Sequence, residues 1–204
     1  MKSLFFYCFA FILSLAIFGA AASLAYATYL KLHLPSPSQF SIEKISQSTK
    51  IFDRTGKVML YEIHGEQKRT VIPFDEIPDV VKLATLAAED KDFYNQPAFD
   101  WKAIVRALAV NLKQGRIVQG GSTISQQLAK NIFLTSEKTV TRKLKELILA
   151  VELESRYSKD EILGMYLNHI PYGADAYGVE AASQMFFNKS AKDLNLSEAA
   201  LLAS

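Results

Sequence analysis

The apolar positions of this chain change their spacing as one moves along it. From Leu4 to Leu30 they form a run of 27 residues without a charge, long enough for an α-helix to cross a bilayer core with some tilt. Prolines and serines then take over from Leu34 to Ser41, a composition that reads as a short linker. Lys50 to Tyr61 holds two short β-prone runs on either side of Asp53-Arg54-Thr55-Gly56, a turn-forming tetrapeptide, so the pattern predicts a hairpin. Thr70 to Phe74 reads as a third strand. From Pro78 onward the period is helical. Trp101, Ile104, Val105, Leu108 and Leu112 share one helix face behind Asp100 as N-cap, and Leu144, Leu147, Ile148 and Val151 mark another amphipathic helix. Ser158 and Glu161 form a capping box ahead of Ile162, Leu163, Tyr166 and Leu167, and Ser197-Glu198 opens a last helix. Strands and helices do not alternate, which argues against a nucleotide-binding α/β sheet. The expected fold is a mostly α domain behind an apolar anchor and a small β element.

The least ordinary stretch is Gly120-Gly121-Ser122-Thr123-Ile124-Ser125-Gln126-Gln127-Leu128-Ala129-Lys130-Asn131. Two glycines let a backbone approach a ligand, and Thr123 with Gln126 has the pattern of a capping box, which places a helix start there. First-turn N–H groups and the positive end of the helix dipole would face the neighbouring ligand, with Lys130 about two turns further on. That arrangement suits an anion, phosphate above all. The polar residues stand where a buried helix would carry apolar ones, and a structural role does not readily account for them.

Charge sharpens this picture. The formal net charge of the 204 residues is only +2, yet Lys102 to Lys145 holds nine basic residues against one acid, Glu137. A basic segment close to a membrane suits anionic lipid or an anionic substrate. The single cysteine, Cys8, lies in the apolar run, so no intrachain disulfide forms. Ala25-Tyr26-Ala27 resembles a signal-peptide cleavage site, but the uninterrupted run is long for a signal-peptide core, and a retained anchor is the expectation. Lys2 precedes the run and Lys31, Lys44 and Lys50 follow it, so flanking charge orients it poorly. His33, His64 and His169 are scattered without ligand spacing, which argues against a zinc site built by the protein. Ser41-Ile42-Glu43-Lys44 and Lys138-Thr139-Val140 echo motifs of penicillin-reactive enzymes, but neither has its partners.

The Gly-Gly-Ser-Thr string resembles the central signature of the peptidoglycan glycosyltransferases (glycosyltransferase family 51), which include the N-terminal domain of class A penicillin-binding proteins. Other blocks follow in the family's order. They are Ala88-Glu89-Asp90-Lys91-Asp92-Phe93-Tyr94, Arg142-Lys143-Leu144-Lys145-Glu146, Glu161 to Asn168, Tyr177 to Ala182 with Phe186 to Lys189, and the start of a fifth from Leu196. The resemblance covers roughly residues 72 to 204. It implies a lysozyme-like domain and the domain limits 1–30 for cytoplasmic stub and anchor, 31–77 for linker and β element, and 78–204 for the catalytic part. It also implies that the domain continues past Ser204, and leaves open whether a transpeptidase follows.

The activity so implied is polymerisation of lipid II into β-1,4-linked glycan, with inversion and release of undecaprenyl pyrophosphate. Such transfer needs a base for the attacking hydroxyl and cations for the departing pyrophosphate. Glu89 closes an apolar run and opens a polar one, where a carboxylate can be partly desolvated, and the resemblance makes it the general base. Glu146 reads by itself as a salt-bridged surface glutamate sharing a helix face with Arg142, Lys143, Ala150 and Leu153. The resemblance makes it the second catalytic carboxylate, on the donor side. Lys130, Lys138, Arg142, Lys143 and Lys145 form the expected cation set, and Gly121, Ser122, Thr123, Gln126 and Gln127 the expected contacts to sugar, peptide or phosphate oxygens. Lys138 stands where the family usually has arginine. Asn168 and the Tyr177-Gly178 turn are expected to hold structure.

Asp92, Gln96 and Ala98 depart from the family's usual basic residue, histidine and glycine; loss of a cation at 92 would weaken acceptor binding, and Ala98 would be strained if its position needed positive φ. The protein itself requires no cofactor, although a divalent cation (Mg or Mn) can be accommodated at the pyrophosphate. The implied partners are lipid II, the growing glycan chain, the membrane and proteins of a cell-wall synthesis complex, with no nucleic acid. The implied location is the bacterial inner (plasma) membrane, single-pass, N-terminus cytoplasmic and catalytic part outside. Two alternatives compete: a lysozyme-like hydrolase or lytic transglycosylase, and a non-catalytic cell-wall scaffold.

Overall fold

The computed structural model describes residues 2–35, 37, 48–57, 59–63, 68–98, 110, 114, 121–135, 137 and 139–204. Helix α1 runs Lys2–His33. Within it Phe11–His33 has a mean hydropathy of 1.8, and it is the one helix among the described residues long and apolar enough to cross a membrane. The hydroxyls of Ser14, Ser23 and Thr28 donate to carbonyls three or four residues back, so they need no outside partner in an apolar surrounding. Leu30 near its end is buried, and α1 touches the helix Val140–Arg156.

The expected hairpin is present. Strands β1 (Thr49–Phe52) and β2 (Met59–Ile63) pair antiparallel, Ile51 opposite Tyr61, with a bulge at Phe52. Asp53 closes the turn: its carbonyl accepts from Gly56 N–H and its carboxylate from Thr55 and Lys57. The expected third strand is corrected. Residues 70–73 are irregular and Phe74–Glu76 is a 3₁₀ turn, while the strand is Lys68–Arg69 (β3), paired parallel with Ala176–Tyr177 (β4). Asn168 explains the irregular stretch: its amide accepts from Ile72 N–H and donates to Ile72 O, both at 3.0 Å. A side chain thus supplies the pairing a neighbouring strand would otherwise supply.

The helical part comprises α2 (Asp79–Glu89), α3 (Ile124–Phe133), α4 (Val140–Arg156), α5 (Lys159–His169), α6 (Val179–Phe187) and α7 (Leu196–Leu202). Helix α3 packs on both α4 and α5, and α2 packs on α7. Ile124 and Leu128 of α3, Leu149 and Leu153 of α4, and Ile162, Leu163 and Leu167 of α5 are fully buried together. Each such side chain contributes about 1.5–3 kcal/mol by leaving water. The Ser158–Glu161 capping box starts α5 as expected. Helix α7 starts one turn-residue earlier than expected, on a capping box of Asn195 and Glu198. The predicted helix behind Asp100 lies outside the described residues, apart from Val110 and Gln114.

Gly178 joins β4 to α6 at φ +82°, and a Cβ there would stand 2.6 Å from the Asn168 carbonyl oxygen. Gly56 has a φ of +70° but open space around it. Gly178→Ala should therefore cost more than the roughly 1–2 kcal/mol expected for a left-handed alanine, and Gly56→Ala no more than that. Thermal melting of the two variants checks the order; equal losses would remove the steric argument.

His169 ends α5 with its ring largely out of water, and burial, reinforced by the nearby Arg69 guanidinium, lowers its pKa to about 4. The unfolded chain takes up this proton near the ordinary 6.5 and the folded chain only near 4, so stability present above 6.5 is lost as pH falls through that interval. His169→Asn should flatten the decline between those two values in urea titrations. An unchanged slope would assign it to other groups.

Candidate active site

Helix α2 is built to deliver its last residue to the surface. Val81 and Thr85 face the core, and Asp90 ends the helix with a non-helical backbone (φ −161°, ψ 77°). Glu89 ends in solvent, so the expected desolvation of its carboxylate is corrected: the apolar run before it covers the inner face of α2 and leaves the helix end open. Its Oε2 accepts from Gln127 Nε2 at 2.6 Å, and Gln127 Oε1 accepts from the Tyr166 hydroxyl at 3.1 Å.

Part of the polar run of α3, namely Thr123, Ser125 and Gln126, is internal scaffolding, which corrects for those three the expectation that structure does not account for the run. Thr123 is the N-cap: its hydroxyl accepts from Gln126 N–H and donates to Ala98 O at 2.8 Å. Gln126 is buried, donates to the same carbonyl, and does not close the other half of a capping box. Buried Ser125 donates to Glu154, which also pairs with Lys159 at 2.7 Å. At the helix start an acceptor of the protein stands where an anionic ligand was expected: Asp90 Oδ2 accepts Ile124 N–H at 3.1 Å. An aspartate at that place serves the helix dipole as a phosphate would. Gln96 donates to the other Asp90 oxygen, and burial holds this carboxyl above its usual range, with Asp92 adding to the effect.

Two departures from the family pattern are settled by this geometry. Gln96 is a partner of Asp90, and its backbone carbonyl accepts from Lys159 at 2.9 Å. Ala98 is buried and is not among the positive-φ residues, so the strain feared there is absent. Asp92 is exposed.

Helix α4 carries the second carboxylate. Thr139 caps it by accepting from Arg142 N–H at 3.0 Å. Glu146 is only 3% exposed, not a surface residue, and Arg142 and Lys143 (2.9 Å) both pair with it. Two cations and one buried anion leave a net positive charge. Lys143 also donates to Ser122 and Gln126, and its pKa is lowered by burial and by the neighbouring Arg142 and Lys130. Ser122 is thus tied to the cluster, Gly121 precedes it at the half-buried turn, and Lys145 is half-buried outside the pairing. Gly120 and Lys138 lie outside the described residues.

A cavity of about 690 Å³ opens beside Glu89. Gln127 and Lys130 line its polar side, and Tyr166, Tyr172 and Phe186 its aromatic side. Lys130 therefore faces the cavity while standing close enough to Lys143 to depress it. The aromatic wall was missed in the sequence because Tyr166 sits at an apolar position of the α5 pattern. Its hydroxyl, a buried polar group needing a partner, was the available signal. Among the described residues no three His, Cys, Asp or Glu side chains gather, and Glu89, the side-chain carboxylate lining the cavity, shares that lining with Lys130. That donor set does not fit an ion held by the protein alone.

Residues 55–204 match the family model described as Transglycosylase. Penicillin-binding protein 1A of Aquifex aeolicus is 48% identical over 172 residues, covering 84% of this chain and 23% of that protein. Penicillin-binding protein 1A of Neisseria lactamica is 41% identical over 198 residues, 96% of this chain and 24% of its own length. Penicillin-binding protein 1F of Bacillus subtilis is 48% identical over 159 residues, 77% and 22% respectively. The chain spans about a quarter of the length of these curated relatives. A family model matching well over half of the chain, on the same helices that build the cavity and the cation cluster, shows that it belongs to the transglycosylase family.

Proposed function

We propose that this chain is a membrane-anchored peptidoglycan glycosyltransferase that polymerises lipid II into β-1,4-linked glycan. The observation that carries the reading is one cavity with a carboxylate, Glu89, and a cation, Lys130, on the same wall, backed by the Arg142–Lys143 pair. Glu89 takes the proton of the acceptor's 4-hydroxyl as that oxygen attacks the donor's anomeric carbon. The bond to pyrophosphate breaks on the opposite face, which inverts the centre. Charge growing on the leaving pyrophosphate meets Lys130 and the positive cluster behind it. Glu146 acts on the donor side by holding Arg142 and Lys143 in place. Any divalent cation would arrive with the pyrophosphate. The polar positions left for direct substrate contact are Gln127, Lys130 and Ser122, since Thr123 and Gln126 are turned inward. Helix α1 anchors the chain in the bacterial plasma membrane with the catalytic part outside, where lipid II and a cell-wall synthesis complex would meet it.

A hydrolase or lytic transglycosylase working on uncharged glycan would have no use for Lys130 and its neighbours. Incubation of the full chain with lipid II and, separately, with finished peptidoglycan decides between them: polymer from the first is expected, and cleavage of the second without polymer would end the transferase reading.

Replacing the base should be severe. Glu89→Gln keeps the shape and an oxygen able to accept from Gln127, so folding should hold while polymerisation falls roughly 10²–10⁴-fold. Full polymerisation by this variant would move the base elsewhere; Asp90, already engaged by Ile124 and Gln96, is a poor substitute.

Lys130→Ala removes a charge-assisted contact worth about 1.5–3 kcal/mol, roughly tenfold to a hundredfold in donor affinity. The loss should appear for a pyrophosphate-linked glycan and not for the same glycan without pyrophosphate. Arg142→Ala is a less clean probe, because it strands the buried Glu146. Lys57→Ala, in the exposed hairpin turn, should change neither; Lys113, the control suggested by the sequence, lies outside the described residues. Equal losses of Lys130→Ala on both ligands would mean that the lysine does not meet phosphate.

A further inference from the structure

We infer that Tyr166 is a positioning residue for the transfer step, acting through the side-chain amide of Gln127 on the carboxylate of Glu89. The inference rests on the transferase reading, since it gives Glu89 a proton to take. Three side chains from three helices form one line: the hydroxyl of Tyr166 on α5 donates to Gln127 on α3 at 3.1 Å, and Gln127 donates to Glu89 at the end of α2 at 2.6 Å. Tyr166 is 2% exposed, so its hydroxyl has few other places to go.

The order of donors and acceptors follows from chemistry. An ionised carboxylate only accepts, so the NH₂ end of the amide must face Glu89. The amide oxygen then points the other way and needs a donor, which the buried hydroxyl provides. Burial, with Glu89 and Asp90 adding, pushes the Tyr166 hydroxyl well above the ordinary tyrosine range, so it stays protonated and donating wherever the enzyme works. Without that donor only the exposed carboxylate itself holds the amide in one sense. A half-turn about its last bond would set its oxygen against the Glu89 carboxylate, and the base would be pushed off its line to the acceptor.

Helix placement makes Tyr166 a rigid reference. Residues around it on α5, Ile162, Leu163 and Leu167, are fully buried, whereas Glu89 is a solvent-exposed helix end whose one side-chain partner among the described residues is Gln127. The line transmits the order of the core to an exposed base. Acting through another residue, Tyr166 should affect turnover and leave substrate affinity nearly alone.

The test is a double-mutant cycle on the full chain with lipid II: Tyr166→Phe, Gln127→Met and both together. Tyr166→Phe should lower kcat about tenfold with KM changed less than about twofold, and Gln127→Met should lower kcat at least as far. Tyr166→Phe placed on Gln127→Met should cost nothing more, because the path is already cut. Losses that multiply in the double variant, or Tyr166→Phe with the kcat of the parent chain, overturn the inference. If Tyr166→Phe melts more than about 5 °C lower, Gln127→Met carries the test, since it leaves the ring in place, and an undiminished kcat there overturns the inference too. Side-chain amide signals of Gln127 by NMR separate this failure from that of the functional reading. Signals that do not move in Tyr166→Phe refute the line whatever the activity, whereas signals that move in a chain inert toward lipid II refute only the transferase.

Discussion

The acceptance of the Ile124 amide proton by Asp90 is the contact on which the rest of the site depends. It ties the first turn of α3 to the residue that follows α2, at 3.1 Å. Helix α3 is short and packed on two sides, so its first donors are in the protein interior and must find acceptors. Asp90 and the Thr123 hydroxyl supply two of them. By meeting that need they also set Glu89, one residue before Asp90, against Gln127, one turn into α3. A helix-capping requirement thereby fixes the place of the Glu89 carboxylate beside its donor, Gln127.

The same economy runs through the polar network beneath. Gln96 holds Asp90, Lys159 holds the Gln96 carbonyl and Glu154, and Glu154 receives the Ser125 hydroxyl. Lys159 also lies 4.5 Å from the centre of the Phe93 ring, a cation–π contact inside the fold. Buried polar groups of this kind contribute little net stability each, yet each becomes costly once a partner is lost. They specify one arrangement of α2, α3, α4 and α5. On the other side of α3 the buried Glu146 does the equivalent for two cations, keeping Arg142 and Lys143 from spreading into solvent while the cluster stays net positive.

The cavity joins these two networks. Lys130 belongs to its wall and to the electrostatic surroundings of Lys143, so positive charge continues from the cavity beside Glu89 to the cluster on α4. Tyr166, Tyr172 and Phe186 add aromatic rings to the same lining. Burial pushes the Tyr172 hydroxyl up as it does that of Tyr166, so the wall stays uncharged.

Much of this was legible in the sequence, for reasons of local physics. The apolar run of α1, the Asp53–Gly56 turn, the Thr123 cap and the Ser158–Glu161 box each depend on residues a few positions apart, and each stands where the pattern put it. Glu89, Lys130 and the Arg142–Glu146 pair could be named because a motif or an i, i+4 spacing carries them. What the sequence did not determine was the direction in which polar side chains face. Gln126 and Gln127 are neighbours of one kind, yet one is locked against Ala98 and the other meets Glu89, since a helix turns 100° between them and only the positions of α4 and α5 say which side is core. Asp90 at the helix start, the strand at Lys68–Arg69, the hold of Asn168 on the Ile72 backbone and the tyrosine behind Gln127 are likewise long-range outcomes. Partners such as Ile72 and Asn168, 96 residues apart, are chosen by packing, and tertiary structure alone brings them together.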